Sequence, residues 1–413
     1  MNHPLPASAT AVPGSLWRDR NFLLLFAANT LSVLGSAVTQ MALPLTAVQL
    51  LRASATEMGV LIACQLLPFV ILGLPAGVWI DRSRKRHLAV AFDLCAALGL
   101  LLVPLAWFGG FLSMPLLCGV GFLVKTQEAI GGSAMQAFIT QLVGRERLVL
   151  ANSKLSGAAS VAQVVGPALA ALLVALLGAP LAIIADAASF LLSALLVARI
   201  RFQEVRGVAS PLRLWPQIRE GLQLVWQTPM LRHLVWVVCL WIGLNDGFAA
   251  LYVLFAAREL GLDASGIALI NTLGALGGLG GALVAHWLER RIGIRNTLVA
   301  GVLIAAFGYL AYALPTRQMA HVAWLAGAAL CLLNVGGTIY VVNYLSLRQA
   351  VSPDALLGRV VTSMRFLSIL PTPLMTVLIG RAGDGFGLVP VFIGLGLACL
   401  LMGLAAARYL PRD

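Results

Sequence analysis

The feature that most constrains this chain is a succession of long apolar runs, each cut off by charge or by a Gly/Pro turn. A helix needs about 20 mostly apolar residues to cross the hydrocarbon of a bilayer. Runs of that kind occupy 22–50, 58–80, 88–108, 112–138, 148–177, 180–200, 231–257, 264–288, 296–314, 321–346, 357–380 and 388–410. Of the 413 residues, 60% are apolar and 11% charged. Soluble domains run near about 45–50% and 25%, so a water-soluble globule and a disordered chain are both excluded. A backbone in lipid must satisfy its hydrogen bonds internally, and the expected class is an all-α membrane protein of twelve transmembrane helices.

Charge gives the runs an orientation. Of 28 Lys and Arg, 22 fall in alternate connections: the N-terminus, 81–87, 144–154, 199–232, 289–295, 348–359 and the C-terminus. The other connections hold only Arg52, Arg258, Arg317 and Arg381, and Lys125 and Arg365 lie inside runs. Basic loops mark the cytoplasmic side, so both termini are expected in the cytoplasm and the chain in a bacterial-type inner membrane. The net charge of +12 then follows from topology and calls for no nucleic-acid partner. Residues 1–21 read as a polar cytoplasmic tail, and the run after Arg20 is too long for a signal peptide.

Other chemistry is scarce. Cys64, Cys95, Cys118, Cys239, Cys331 and Cys399 stand singly in apolar stretches and read as packed thiols, with no metal site. No GxxxxGK[ST] phosphate loop is present, and the glycines from Gly274 to Gly281 lie inside a run, so no nucleotide cofactor is expected. The bilayer and a small-molecule substrate are the expected partners.

The chain also divides in two. A shift of 208 places Asp81-Arg82 on Glu289-Arg290, Gln141 and Val143 on Gln349 and Val351, Leu148 on Leu356, and Gly35 on Gly243. Two pseudo-symmetric six-helix bundles, 22–200 and 231–413, are expected, with a binding site near the midplane between them. In the linker, 201–230, Trp215, Ile218, Leu222, Val225 and Trp226 recur at helical spacing opposite Gln217, Arg219, Glu220 and Gln223. That pattern predicts an amphipathic helix lying on the headgroups.

The turn Gly77-Val-Trp-Ile-Asp81-Arg82-Ser-Arg84-Lys85-Arg86 resembles the G-x-L-x-D-R-x-x-R-R/K signature of the major facilitator superfamily, at the family's position between the second and third spans. The resemblance implies a conformational latch. Asp81 would pair with a neighbouring arginine, Arg82 or Arg86, and with a helix start from the other half, while Gly77 and Gly73 let backbones approach. Glu289-Arg290 is a second copy with Ala285 in the glycine's place, and Arg365 is a further pairing cation. Gly166-Pro167, with Ala162, Ala170 and Ala171, resembles the exporter-type G-x-x-x-G-P-x-x-G-G with alanines for glycines, and is expected to pack on the glycines of the eighth span.

Leu66-Leu67-Pro68-Phe69, Val165-Gly166-Pro167-Ala168-Leu169, Asp186-Ala-Ala-Ser189-Phe190, Arg219-Glu220-Gly221-Leu222 and Gly358-Arg359-Val360 are similar to the branch containing enterobactin-type siderophore exporters and macrolide and multidrug pumps. The chain departs from it at Cys95, Ala96 and Ala97 after Asp93, where that branch often has an arginine, and at Lys125-Thr-Gln-Glu128.

Polar residues gather in the first, fourth, seventh and tenth runs, which a wet cavity permits and lipid does not. The candidates for lining it are Asn29, Ser36, Gln40, Lys125, Glu128, Asn245, Asp246, Asn334 and Asn343. A lone charge at a helix centre costs about 2.5–3.5 kcal/mol on insertion scales. Lys125 and Glu128, one turn apart, form a neutral pair or open to substrate and proton. Asp246 has no sequence-local cation and is either a proton carrier or an acid paired with Lys125. Asp93 and Asp186 lie on presumed outer spans, where structural pairing is expected. The reading is a monomeric proton-coupled exporter of a small amphipathic organic compound, such as a siderophore or drug, working by alternating access. A nutrient importer of the same fold is the alternative; a receptor or membrane enzyme is the more distant one.

Overall fold

Apolar runs become helices because the helix is the local solution to backbone hydrogen bonding in lipid. The computed structural model describes residues 15–204, 214–353 and 356–409; the side chains of 74, 75, 78, 81, 145, 214–218, 221, 357 and 358 lie outside the description. Among the described residues there is no strand. The first half comprises α1 (Arg20–Gln49), α2 (Ala55–Ile71), α3 (Gly73–Arg82), α4 (Lys85–Phe108), α5 (Met114–Thr126), a π-helical segment (Gln127–Gly132), α6 (Ser133–Val143), α7 (Leu148–Leu177) and α8 (Ala179–Ala198). After α9 (Leu214–Gln227) come α10 (Pro229–Arg258), α11 (Ala264–Ile292), α12 (Ile294–Tyr312), α13 (Val322–Val351), α14 (Leu357–Ile369), α15 (Thr372–Phe386) and α16 (Leu388–Tyr409).

Ten of the crossings are long and apolar enough by themselves to span a membrane, the eleventh counted as Arg359–Phe386. The second crossing is α2 plus α3, and the fourth is α5, the π segment and α6, which completes twelve. The breaks in the second and eleventh crossings have a common cause. Proline has no N–H to give the carbonyl four residues back. Pro75 therefore cannot bond Ile71, where α2 ends, and Pro373 cannot bond Ile369, where α14 ends. Pro44, Pro68, Pro104 and Pro167 sit inside unbroken helices, so proline alone does not decide the matter. Gly178 (φ 81°) and Gly387 (φ 88°) turn the chain between α7 and α8 and between α15 and α16 in a backbone region other residues avoid.

Helices of the first half pack chiefly as α1 with α7 and α8, α4 with α8, and α2 with α5; those of the second as α13 with α11 and α12, and α12 with α16. The halves join chiefly along α2 with α15 and α7 with α11, with α10 also against α2. Gly274, Gly277 and Gly281 of α11 pack inside their own half, contrary to the expectation from sequence. A side chain at Gly277 would strike the Cys331 carbonyl oxygen, and one at Gly281 that of Val335, both on α13. Gly166 of α7 likewise lies against Ala37 of α1, not against α11. Small residues were legible as a close-packing device, but the partner was not.

The linker helix α9 rests on α14 and α10. Glu220 is bridged to Arg359 of α14, Val225 is buried, and Trp226 meets Trp236 of α10 edge-on at 6.3 Å. It is thus docked on the second half as well as amphipathic. Trp215 and Ile218, part of its expected apolar stripe, are among the side chains outside the description.

Candidate functional site

Between the two halves lies a cavity of about 1430 Å³. Its walls come from α1, α2, the fourth crossing and α7 of the first half and from α10, α11 and α13 of the second, with Asp93 of α4 and Asp186, Phe190 and Ser193 of α8 behind them. The mouth opens at the face where α1 begins and α16 ends, called here the basic face after its loops. On that side the inner halves of α7 (Asn152, Ser156, Ala159) and α11 (Gly278, Leu279, Ala282) are separate walls of the cavity. The far side is shut: every residue of α1 from Met41 to Val48 is buried, as are Leu251, Leu254 and Phe255 of α10.

The charged centre joins the halves electrostatically. Lys125 Nζ donates to Glu128 Oε2 at 2.7 Å, one turn along the fourth crossing, and Asp246 of α10 lines the same cavity from the other half. Glu128 is 58% exposed and Lys125 26%, so the pair is wet rather than sealed. Glu128 stands in the π segment, where an i→i+5 pattern widens the helix and shifts the azimuth of the residues around it.

Asp93 and Asp186 were expected to be structurally paired acids on outer spans. Asp93 accepts from Gln127 Nε2 at 2.7 Å and Ser193 Oγ at 2.8 Å, partners that are neutral. Asp186 is fully buried over Gly35; Ser189 Oγ donates to its Oδ1 at 3.1 Å, while Oδ2 has no hydrogen-bond partner among the described residues. Neither has a cation within ion-pair distance among the described residues. Both residues border the cavity with their carboxyls buried behind its wall and bonded only to neutral partners, which corrects the expectation of paired acids. The cavity wall therefore holds four acids, Asp93, Glu128, Asp186 and Asp246, and one base, Lys125.

Of the cavity candidates, Asn29, Ser36, Gln40, Lys125, Glu128, Asp246 and Asn334 line the wall. Asn245 does not; its neighbour Asp246 takes the inward azimuth. Asn343 is buried and donates to Ile339 O at 2.8 Å within α13, so it is a satisfied helix residue outside the cavity. Asn334 also bonds Gly274 O at 3.0 Å, tying α13 to α11. Sequence reading passed over Gln65, Gln163, Asn271 and Tyr252, which also line the wall. Isolated polar residues at mid-span in the second, fifth and eighth runs were the available signal.

The latch residues are spread apart in this state. Gly77 and Gly73 have open space where a side chain would stand, so their close approach to another backbone is not made here. Asp81's side chain lies outside the description; Arg82 is exposed. Arg86 instead donates to Ile200 O, and the amides of Lys85 and Arg86 are capped by Glu204, which fastens the start of α4 to the end of α8. Glu289 sits 3.5 Å from His286 of its own helix, while Arg290 and Arg365 are exposed.

A family profile described as Major Facilitator Superfamily matches residues 25–375. The chain belongs to the major facilitator superfamily. It is a transporter, not an enzyme, and a multi-pass membrane protein acting on small molecules, as superfamily members do. It is 28% identical over 410 residues to the multidrug efflux pump Tap of Mycolicibacterium fortuitum, covering 94% of this chain and 95% of that one. It is also 28% identical over 401 residues to an uncharacterized superfamily transporter, y4rN, of Sinorhizobium fredii, covering 94% and 95%. Among solved structures, a mutant of the nucleoside transporter NupG superposes with a TM-score of 0.79 at 10% identity, covering 95% of this chain and all of that one. A bacterial homologue of the iron transporter ferroportin in an inward-facing state gives 0.76 at 18%, covering 96% and 100%. Those two likenesses speak to the superfamily fold alone.

Proposed function

We propose that the protein is a proton-coupled exporter of small amphipathic organic compounds, drug-like cations foremost. The observation that carries this is the cavity itself: it is open at one face only, with Lys125 paired to Glu128, Asp246 of the other half on the same wall, and a surplus of acids over bases. Near-full-length similarity to multidrug efflux pumps supports the direction. Basic loops mark the cytoplasm, so the state described is inward-open and loads from inside. A polyanionic catechol siderophore suits this wall poorly, because the acids of Glu128 and Asp246 outnumber the single ammonium of Lys125, with the buried carboxyls of Asp93 and Asp186 behind them.

The cycle follows from the charges. A cationic substrate entering beside Glu128 and Asp246 competes with Lys125 for them, and a proton on Asp246 removes the negative charge that would hold the substrate there. Substrate and proton therefore exclude one another and travel in opposite directions as the halves rock. Exchange of one proton for one monovalent cation moves no net charge, so the pH difference drives it, worth about 1.4 kcal/mol per pH unit. The family latch built on Asp81, Gly77 and Arg365 would hold the other state, in which the basic face is closed and the space beside Gly77 filled.

The test uses proteoliposomes and a fluorescent lipophilic cation. An imposed pH gradient drives uptake into inside-out vesicles for wild type, while Asp246→Asn loses gradient-driven uptake and retains substrate exchange. Equal loss of both would make Asp246 structural, and accumulation in the opposite direction would turn the protein into an importer.

A further inference from the structure

The far end of the cavity is closed by a contact the transport reading above does not use. Ser54 caps α2 with its own side chain, accepting from Glu57 N at 3.2 Å, and Glu57 Oε2 accepts from Ser54 N at 2.8 Å. This capping box serves two of the four free amides at a helix start. The two that remain, on Ala55 and Thr56, are taken by the carboxylate of Asp384, Oδ1 at 2.8 Å and Oδ2 at 2.9 Å. Asp384 stands near the end of α15, in the other half of the molecule. Around it the two backbones touch: a side chain at Gly380 would strike the Ala55 carbonyl oxygen, and one at Gly59 the Thr376 carbonyl oxygen.

The same construction recurs at the opposite face. Gly380-x-x-x-Asp384 closes the eleventh crossing as Gly77-x-x-x-Asp81 closes the second. Both crossings are broken midway, at Leu72 and at Leu370-Pro371, and they run antiparallel along one seam. At the far face the glycine is filled and the acid engaged. At the basic face Gly77 stands open, and the neighbours of α3 are α2, α4 and the π segment of its own half.

We propose that Asp384 is the far-face counterpart of the Asp81 latch, a positioning residue that holds the far seam shut in this state and releases it when the basic face closes. A carboxylate at a helix start is favoured both by the free N–H groups and by the helix dipole. Its loss therefore weakens only the state in which the two halves meet there. The proposal rests on alternating access but on neither the substrate nor the proton.

The test is spin-label distance measurement on the full-length protein with native cysteines replaced. One pair spans the far face, at Phe108 and Leu314; the other spans the basic face, at Val149 and Leu283. All four positions are strongly exposed. Asp384→Ala is expected to lengthen the far-face distance and shorten the basic-face distance in the same molecules. The expected shift in the ratio of the two states is about fivefold, the scale of one lost helix cap. Asp384→Asn, which keeps one acceptor, should shift it less, and Asp81→Asn should shift it the other way. Unchanged distributions in Asp384→Ala, or broadening of both distances without reciprocal movement, would overturn the proposal and leave Asp384 an ordinary cap. Failure of the export reading would show only in the flux assays, which these distances do not consult.

Discussion

Asp263 shows how much one loop residue can be asked. It precedes α11 and accepts from Gly266 N at 2.9 Å and Ser265 Oγ at 2.7 Å. The Gly266 amide, with the Ser265 hydroxyl, holds its carboxyl below the usual range. A depressed folded-state pKa means the cap contributes fully above the unfolded aspartate value of about 3.9 and fades as pH falls through the folded one. The difference in Tm between wild type and Asp263→Ala should accordingly be constant near neutrality and shrink below about pH 4. A difference that stayed flat to pH 3 would mean the carboxylate charge is irrelevant there. The same scale marks the limit of sequence reading. Lys125, Glu128 and Asp246 were conspicuous because charge in an apolar run is costly, and all three line the cavity. Asn245 and Asn343 were equally polar and do not, because an asparagine can be satisfied by its own helix, as Asn343 is by Ile339.

Among elements, helix packing depends on where side chains are missing. Without a hydrophobic drive between helices in lipid, close backbone approach carries much of the association. Gly277→Val would force a branched side chain into the Cys331 carbonyl, an overpacking that costs about 1–3 kcal/mol. Gly280→Ala on the same helix meets open space and should gain slightly from helix propensity. Thermal denaturation in detergent should separate them: a lower Tm for the first, an unchanged or higher one for the second. The reverse order would mean α11 does not seat on α13. Helix breaks belong to this scale too. Pro75 and Pro373 end α2 and α14 while Pro167 leaves α7 whole, and the local sequence around each offers no rule separating them.

In the whole molecule, the state is defined by one closed face and one open one. Hydrophilic thiol reagents should reach cysteines placed at Ser156 and Leu279, on facing walls of the open side, from the basic face alone. Positions Ala47 and Leu254, buried at the closed end, should stay protected until the state changes. Gly77→Leu adds bulk where this state has room, so it should leave these accessibilities intact while abolishing net transport. If that variant transported normally, close approach at Gly77 would be no part of the cycle.

The stretches that cross the membrane, the class of fold, the family signature and the charged triad of Lys125, Glu128 and Asp246 were all determined by the amino-acid sequence. Partition into lipid is a sum over residues and reads off locally. Tertiary structure decided the rest: that α11 seats its glycines on α13, that Asp93 and Asp186 reach the cavity from behind, and that Asp384 caps a helix 329 positions away. Lipid is as apolar as leucine, so no hydrophobic stripe marks the inner side of a membrane helix. The azimuth of each helix, and with it every contact between the halves, exists only once its neighbours are in place.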